Sequence, residues 1–258
     1  MRMLNHICKV IIPALIGVFA TQTAMADTVS VAVAANFTAP MQKIAALFEA
    51  ETGHKAALSF GSTGRFYAQI KNGAPFDVLL AADDKTPAKL VEEALALAPT
   101  QMTYAIGKLV LYSRNPSVVD DRGHVLKQAQ PGKIAIADPK LAPYGLAAQQ
   151  TLQALGVYAQ LQPNLVVGES IGQTYQFVAT ENALMGFVAL SQVNAADQKQ
   201  AGSSWIVPQA LYDPIRQNAV VLARGKDNPA ASSLIKFLQT QAAHDVIRSY
   251  GYGLHTNP

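Results

Sequence analysis

Cysteine is all but absent: Cys8 is the single one in 258 residues, which leaves no pair for an intramolecular disulfide. Histidine is sparse too, and His54, His124, His244 and His255 stand far apart, without the spacing of a metal site. No run of Lys and Arg interleaves with aromatics, which argues against a nucleic-acid partner. Outside the first residues no stretch approaches 18 apolar residues, so no later membrane span is expected. No Pro/Gly/Ser-rich linker divides the chain, and no sequence repeat is visible.

What is present begins with a leader pattern. Arg2 and Lys9 form a basic start, Val10–Ala20 is an apolar stretch, and Ala24-Met25-Ala26 has the small-x-small form of a cleavage site. The stretch is too short to span a bilayer, so a cleaved secretory signal over residues 1–26 is expected rather than a retained anchor. Cys8 precedes the apolar stretch, where a lipoprotein cysteine would not stand. Removing 26 of 258 residues leaves 232, without cysteine, and takes two of the 20 basic residues against none of the 17 acidic. A chain of this length can bury a substantial core in one large or two smaller units.

Short apolar runs alternate with helical patterns. Strands are expected at Val29–Ala34, Lys55–Ser59, Val78–Ala81, Lys133–Ala137, Leu165–Val167, Met185–Ala189 and Asn218–Ala223, with helices between most of them and two at the C-terminus. Repeated βαβ order implies mostly parallel sheets covered by helices. The expectation is two α/β lobes: 27–110 as the first part of lobe 1, 111–220 as lobe 2, and 221–258 returning to lobe 1. Strands at Gly107–Leu111 and Asn218–Leu222 are expected to cross between lobes and act as the hinge.

Four strand-to-helix turns are rich in small or hydroxylic residues: Ala35-Asn36-Phe37-Thr38, Gly61-Ser62-Thr63-Gly64, Pro143-Tyr144-Gly145 and Ser170-Ile171-Gly172-Gln173. Such turns lie at the carboxyl ends of parallel strands, where α/β folds place ligands. The first N–H groups of each following helix lack intrahelical partners and attract anions. For each turn taken alone, simple capping by Asn36, Thr63 or Ser170 remains open. Arg65 could neutralise an anion or be a solvated surface arginine. Asp83-Asp84 begins a helix and suits its dipole better than a catalytic dyad. Trp205 reads as a packing residue.

Gly168-Glu169-Ser170-Ile171-Gly172 also matches the G-x-S-x-G nucleophile elbow. Asp227 and His244 follow in the required order, but no His-Gly-Gly oxyanion segment appears. A secreted serine hydrolase using Ser170 therefore stands as an alternative.

Several blocks together, "VSVAVAANFTAPMQKIAALFEAETG", "SFGSTGRFYAQIKNGAPFDVLLAADDKTPAKL", "IAIADPKLAPYGLAAQQTLQALG", "GESIGQT" and "LMGFVALSQ", resemble the periplasmic molybdate-binding proteins of ABC transporters. The resemblance spans the chain after the leader. It implies a two-lobed type II binding protein in the periplasm, a monomer and not an enzyme, that closes on molybdate or tungstate and delivers it to a membrane permease. It implies no cofactor and no cation-binding residues. By position it implies contacts from Asn36 and Thr63 in lobe 1, with Ser62 as an additional one, and from Tyr144 and Ile171 in lobe 2, the last two mainly through backbone N–H. Ser170 then belongs to an anion-cradling turn. Two departures stand out. The commonest family pattern has Ser where this chain has Asn36, and Tyr where it has Ala189, a phenol that Tyr144 could replace.

A dianion buried without a counter-charge needs a hydrogen bond at every oxygen. Amide and hydroxyl donors cannot lose a proton near neutrality, so binding is expected to be insensitive to pH. A receptor for sulfate or another oxyanion shares this physics and is the alternative within the class; size is expected to discriminate.

Overall fold

The computed structural model describes residues 26–128, 130–194 and 202–254; residues 1–25 of the leader and His255 lie outside them. Ten strands are described: β1 Thr28–Ala34, β2 Lys55–Gly61, β3 Val78–Leu80, β4 Met102–Gly107, β5 Leu109–Ser113, β6 Ile134–Ala137, β7 Leu165–Gly168, β8 Met185–Ala189, β9 Ser203–Ile206 and β10 Ile215–Val221. The helices are α1 Thr38–Thr52, α2 Thr63–Lys71, α3 Lys85–Glu92, α4 Pro143–Ala154, α5 Tyr158–Leu161, α6 Ile171–Ala179, α7 Leu190–Val193, α8 Pro229–Phe237 and α9 Gln241–Ser249.

The strands form two five-stranded sheets, ordered β2-β1-β3-β10-β4 and β7-β6-β8-β5-β9. The two orders are the same topology. In each, one strand (β1 or β6) pairs in parallel with the next two, and one strand arriving from the other lobe (β10 or β5) runs antiparallel to both its neighbours. This is the two-lobed α/β architecture expected.

Burial on both sheet faces explains why the central strands read as unbroken apolar runs. Val29, Val31, Ala32 and Val33 of β1 are buried, as is every residue of β6. Helix α1 packs Met41, Ile44 and Phe48 against the first sheet's core, a 3-4 spacing that lines one helix face. Each such side chain contributes about 1.5–3 kcal/mol on burial. Gly53 ends the helix at φ 75°, donating its N–H to the Glu49 carbonyl, a conformation that glycine adopts without strain.

The crossings fall elsewhere than the sequence suggested. Strand β5 lies wholly in the second sheet and β4 in the first, so the outward crossing is Lys108 alone. Strand β10 lies wholly in the first sheet, paired with β3 and β4 from Ile215 onward. The return crossing is therefore 207–214, and Asn218–Leu222 is sheet, not hinge; the boundary at 220 moves to about 214. The apolar run at Asn218–Ala223 marks only the part of β10 that is uninterrupted. Its first half carries exposed Arg216 and buried polar Gln217, which mask a strand in the sequence. Strand β9 was not expected either; it carries the buried Trp205, which packs in the second lobe's core.

Candidate functional site

Four polypeptide turns meet where the lobes face each other. After β1 the chain makes a single 3-10 turn, Ala35–Phe37, before α1. After β2, Ser62 takes an extended conformation and α2 starts at Thr63. In the second lobe α4 opens with Pro143, and α6 opens with Ile171 behind Ser170. Pro143 has no N–H, so Tyr144 supplies the first donor of α4. Gly145 brings that helix end against β6: a Cβ there would lie 2.2 Å from the Ala137 carbonyl oxygen.

Asn36, Ser62, Thr63, Tyr144 and Ile171 line one small cavity of about 10 Å³, together with Ala34, Ala35, Gly61, Ala82, Ala142 and Pro143. All five are buried, and no charged side chain is among the lining residues. The helix N-termini of α2, α4 and α6 open onto it, bringing orphan N–H groups and the positive ends of three dipoles. The site is thus electropositive without a formal charge.

The hydroxyls are arranged to donate. Thr63 Oγ1 accepts the Ala82 N–H at 2.9 Å, which leaves its own hydrogen to be given away. Ser62 Oγ is buried and has no partner among the described residues. Neither Asn36 nor Thr63 caps a helix, so the plain capping alternative fails at those two turns. It holds at Ser170, whose Oγ accepts the Gln173 N–H at 3.3 Å. That hydroxyl is engaged as a cap, and the elbow match is a helix start. Ala189 is a strand end whose N–H is accepted by Gln192 Oε1 at 2.9 Å. Gln192 Nε2 in turn donates to the Ile171 carbonyl at 3.1 Å and steadies that turn.

Behind the cavity lies a buried polar network that the sequence reading did not anticipate. Asn36 Nδ2 donates to Gln217 Oε1 at 2.7 Å and to the Tyr252 hydroxyl at 2.9 Å. Gln217 Oε1 also accepts from the Tyr104 hydroxyl at 3.0 Å, and Gln217 Nε2 donates to the Tyr144 hydroxyl at 3.2 Å. Tyr252 and Ser191 both reach the Asn36 carbonyl at 2.8 Å. Asn36 Oδ1 has no partner among the described residues. Burial holds the Tyr104 and Tyr144 phenols well above their ordinary range and Tyr252 at about 12, so all three are neutral. Gln217 is a lone polar residue inside a strand and carries no motif; only its burial gives it away.

Contacts also cross the mouth of the cleft. The Gly64 N–H donates to the Leu141 carbonyl at 2.8 Å. Arg65 and Glu169 form an exposed ion pair at 2.7 Å, so Arg65 spends its charge on the other lobe's carboxylate. Among the described residues no cluster of three or more His, Cys, Asp or Glu could hold a metal ion.

Residues 29–253 match the family of bacterial extracellular solute-binding proteins. The chain is 57% identical over 231 residues to the molybdate-binding protein ModA of Azotobacter vinelandii, covering 90% of this chain and 92% of that one. It is 53% identical over 229 residues to ModA of Rhodobacter capsulatus, covering 89% of each. The solved structure of the Azotobacter vinelandii periplasmic molybdate-binding protein superposes with a TM-score of 0.85 at 40% identity, covering 88% of this chain and all of that one. The chain belongs to the bacterial extracellular solute-binding proteins, alongside the ModA molybdate-binding proteins.

Proposed function

We infer that this chain is a periplasmic molybdate-binding protein. It is not an enzyme: it captures molybdate between its lobes and presents it to the membrane permease of an ABC importer. The observation that carries the reading is a small, uncharged cavity onto which three helix N-termini and two buried hydroxyls open, in a chain 57% identical to a molybdate-binding protein. Asn36, Ser62 and Thr63 are proposed to bind from the first lobe, with the N–H groups of Tyr144 and Ile171 from the second. Closing the lobes removes water, and fixed neutral donors then replace the hydration shell of the dianion at every oxygen. Tungstate, of similar shape and charge, is proposed as a second ligand. No resident cofactor is proposed, and the working form is taken to be the monomer.

Calorimetry with molybdate, tungstate and sulfate tests the reading. Molybdate and tungstate should bind and compete, and sulfate should displace neither; sulfate binding as tightly as molybdate would reassign the ligand. Asn36→Asp should abolish binding near neutral pH. Two unit charges about 4 Å apart repel by roughly 4 kcal/mol at an effective dielectric near 20, and a dianion doubles that. Even half of the total corresponds to on the order of a thousandfold. Asn36→Ser keeps a donor and should bind with a modest change. Equal affinity for Asp and Asn at this position would remove residue 36 from the site.

The leader is proposed to be cleaved after Ala26, on the strength of Ala24-Met25-Ala26 and the short apolar stretch before it. Intact mass of the exported protein should correspond to a start at Asp27; full-length mass in the membrane fraction would refute export with cleavage.

A further inference from the structure

We propose that Gln217 is the positioning residue of the anion site: its carboxamide sets which end of the Asn36 carboxamide faces the ligand, and both turn over together when the anion binds. The proposal rests on the oxyanion-binding reading and extends it to a residue outside the cavity.

The starting point is a mismatch. The cavity has to offer donors to an anion, yet Asn36 commits its Nδ2 to Gln217 and Tyr252 and leaves Oδ1, an acceptor, without a partner. A half-turn about the terminal bond exchanges oxygen and nitrogen with little change in shape. Asn36 cannot make that turn alone, because its Oδ1 would then face Gln217 Oε1, acceptor against acceptor. If Gln217 turns as well, every bond can be rewritten. Gln217 Nε2 then donates to Asn36 Oδ1 and to the Tyr104 hydroxyl, whose own proton goes to the Ala81 carbonyl at 3.1 Å. Gln217 Oε1 accepts from Tyr144. Tyr252 donates to Asn36 Oδ1, and Ser191 keeps the Asn36 carbonyl. Asn36 Nδ2 is released towards the ligand. Both wirings satisfy Gln217, and the anion, which needs a donor, selects the second.

The local backbone is shaped for this contact. The register between β10 and β4 shifts between Gln217 and Asn218, with Tyr104 as the extra residue of β4; a bulge of this kind re-aims side chains. Gly107, at the end of β4 beside the outward crossing, leaves the space in which Tyr144 and Gln217 meet. A Cβ there would lie 2.2 Å from the Tyr144 hydroxyl and 2.8 Å from Gln217 Nε2. Tyr144 comes from the second lobe and Asn36 from the first, so the one carboxamide ties both halves of the site together.

The test uses the full chain and molybdate as the probe. In the wild type, nitrogen-15 NMR should show the side-chain amide signals of both Asn36 and Gln217 shifting on molybdate binding. Gln217→Met should weaken molybdate binding by on the order of tenfold, the size of losing one hydrogen bond to a charged group. In an Asn36→Ala background the same substitution should change affinity little, because Gln217 acts through Asn36. Independent, additive losses would mean that Gln217 is merely structural, and the proposal would fall. Wild type that binds molybdate without moving the Gln217 amide signal would overturn it as well, without any variant having to fold. Wild type that fails to bind molybdate would instead overturn the functional reading beneath it.

Discussion

Among single residues, the polar groups around the cleft divide sharply by whether they can titrate. The cavity and the network behind it are built from amides, serine and threonine hydroxyls, and phenols held neutral by burial. Asp83 is the carboxylate nearby whose ionisation is disturbed. It follows β3, half-buried; its Oδ1 accepts the Thr86 N–H at 2.7 Å and its Oδ2 accepts the Thr86 hydroxyl at 3.1 Å. Burial raises its carboxyl above the ordinary aspartate range, and the neighbouring Asp84 charge adds to this. The Thr86 bonds and Lys85 oppose it. A raised value means that the folded chain holds this proton more tightly than the unfolded chain. The associated stability is fully present below about pH 4, the ordinary aspartate value, and is lost as pH rises through the folded value. Asp83→Asn keeps an acceptor for the Thr86 N–H and removes the buried charge. It should therefore raise the melting temperature at neutral pH and give progressively less gain in acid. Melting curves of both forms across that range decide the matter; a loss of stability at neutral pH would show that the two Thr86 bonds outweigh the burial.

At the scale of elements, legibility in the sequence followed burial. Strands covered on both faces announce themselves as unbroken apolar runs, so β1 and β6 were plain. The helix starts near the site were legible as well, because small and hydroxylic residues cluster where β-strands hand over to helices. Strand β9, with the sequence Ser-Ser-Trp-Ile at an edge of its sheet, alternates partly exposed and exposed serines with one buried ring; so short a pattern does not stand out. Strand β10 was cut short by Arg216 and Gln217. The same property hid the network: Gln217, Tyr104, Ser191 and Tyr252 come together only through tertiary pairing, Tyr104 with Gln217 across 113 residues and Ser191 with Tyr252 across 61. Cap chemistry was the least decidable from sequence. Ser170 and Thr63 look alike in the chain, yet one accepts from its own helix and the other from Ala82 in the loop after β3. Local sequence cannot separate these, because the competing acceptor lies elsewhere in the fold.

For the molecule as a whole, the two sheets share one topology and the chain passes between them twice, so the lobes are tied by Lys108 and by 207–214. Two short connections beside each other let one lobe rotate against the other with little disturbance of either core. The structure holds the lobes together by three kinds of contact. Arg65–Glu169 is exposed on both sides and contributes about 0–1 kcal/mol. The Gly64–Leu141 backbone bond contributes roughly 0.5–1.5 kcal/mol. The buried bonds through Gln217 and Ser191 are each of that same order. Set against these is the freedom regained on opening and the rehydration of Ser62 and Asn36 Oδ1, buried without partners at a cost of about 1–3 kcal/mol each. These polar terms oppose one another, so an open form should be accessible without ligand. An anion that accepts hydrogen bonds from donors of both lobes at once favours the closed form by its full differential affinity. Small-angle scattering should therefore give a smaller radius of gyration at saturating molybdate than in its absence. Forward scattering at both points should report the mass of a single chain. The change should persist in Arg65→Ala, since the exposed pair supplies little. An identical profile with and without molybdate would mean that the lobes are already shut in solution. Selectivity would then reside in a rigid, preformed cavity and not in the closing motion.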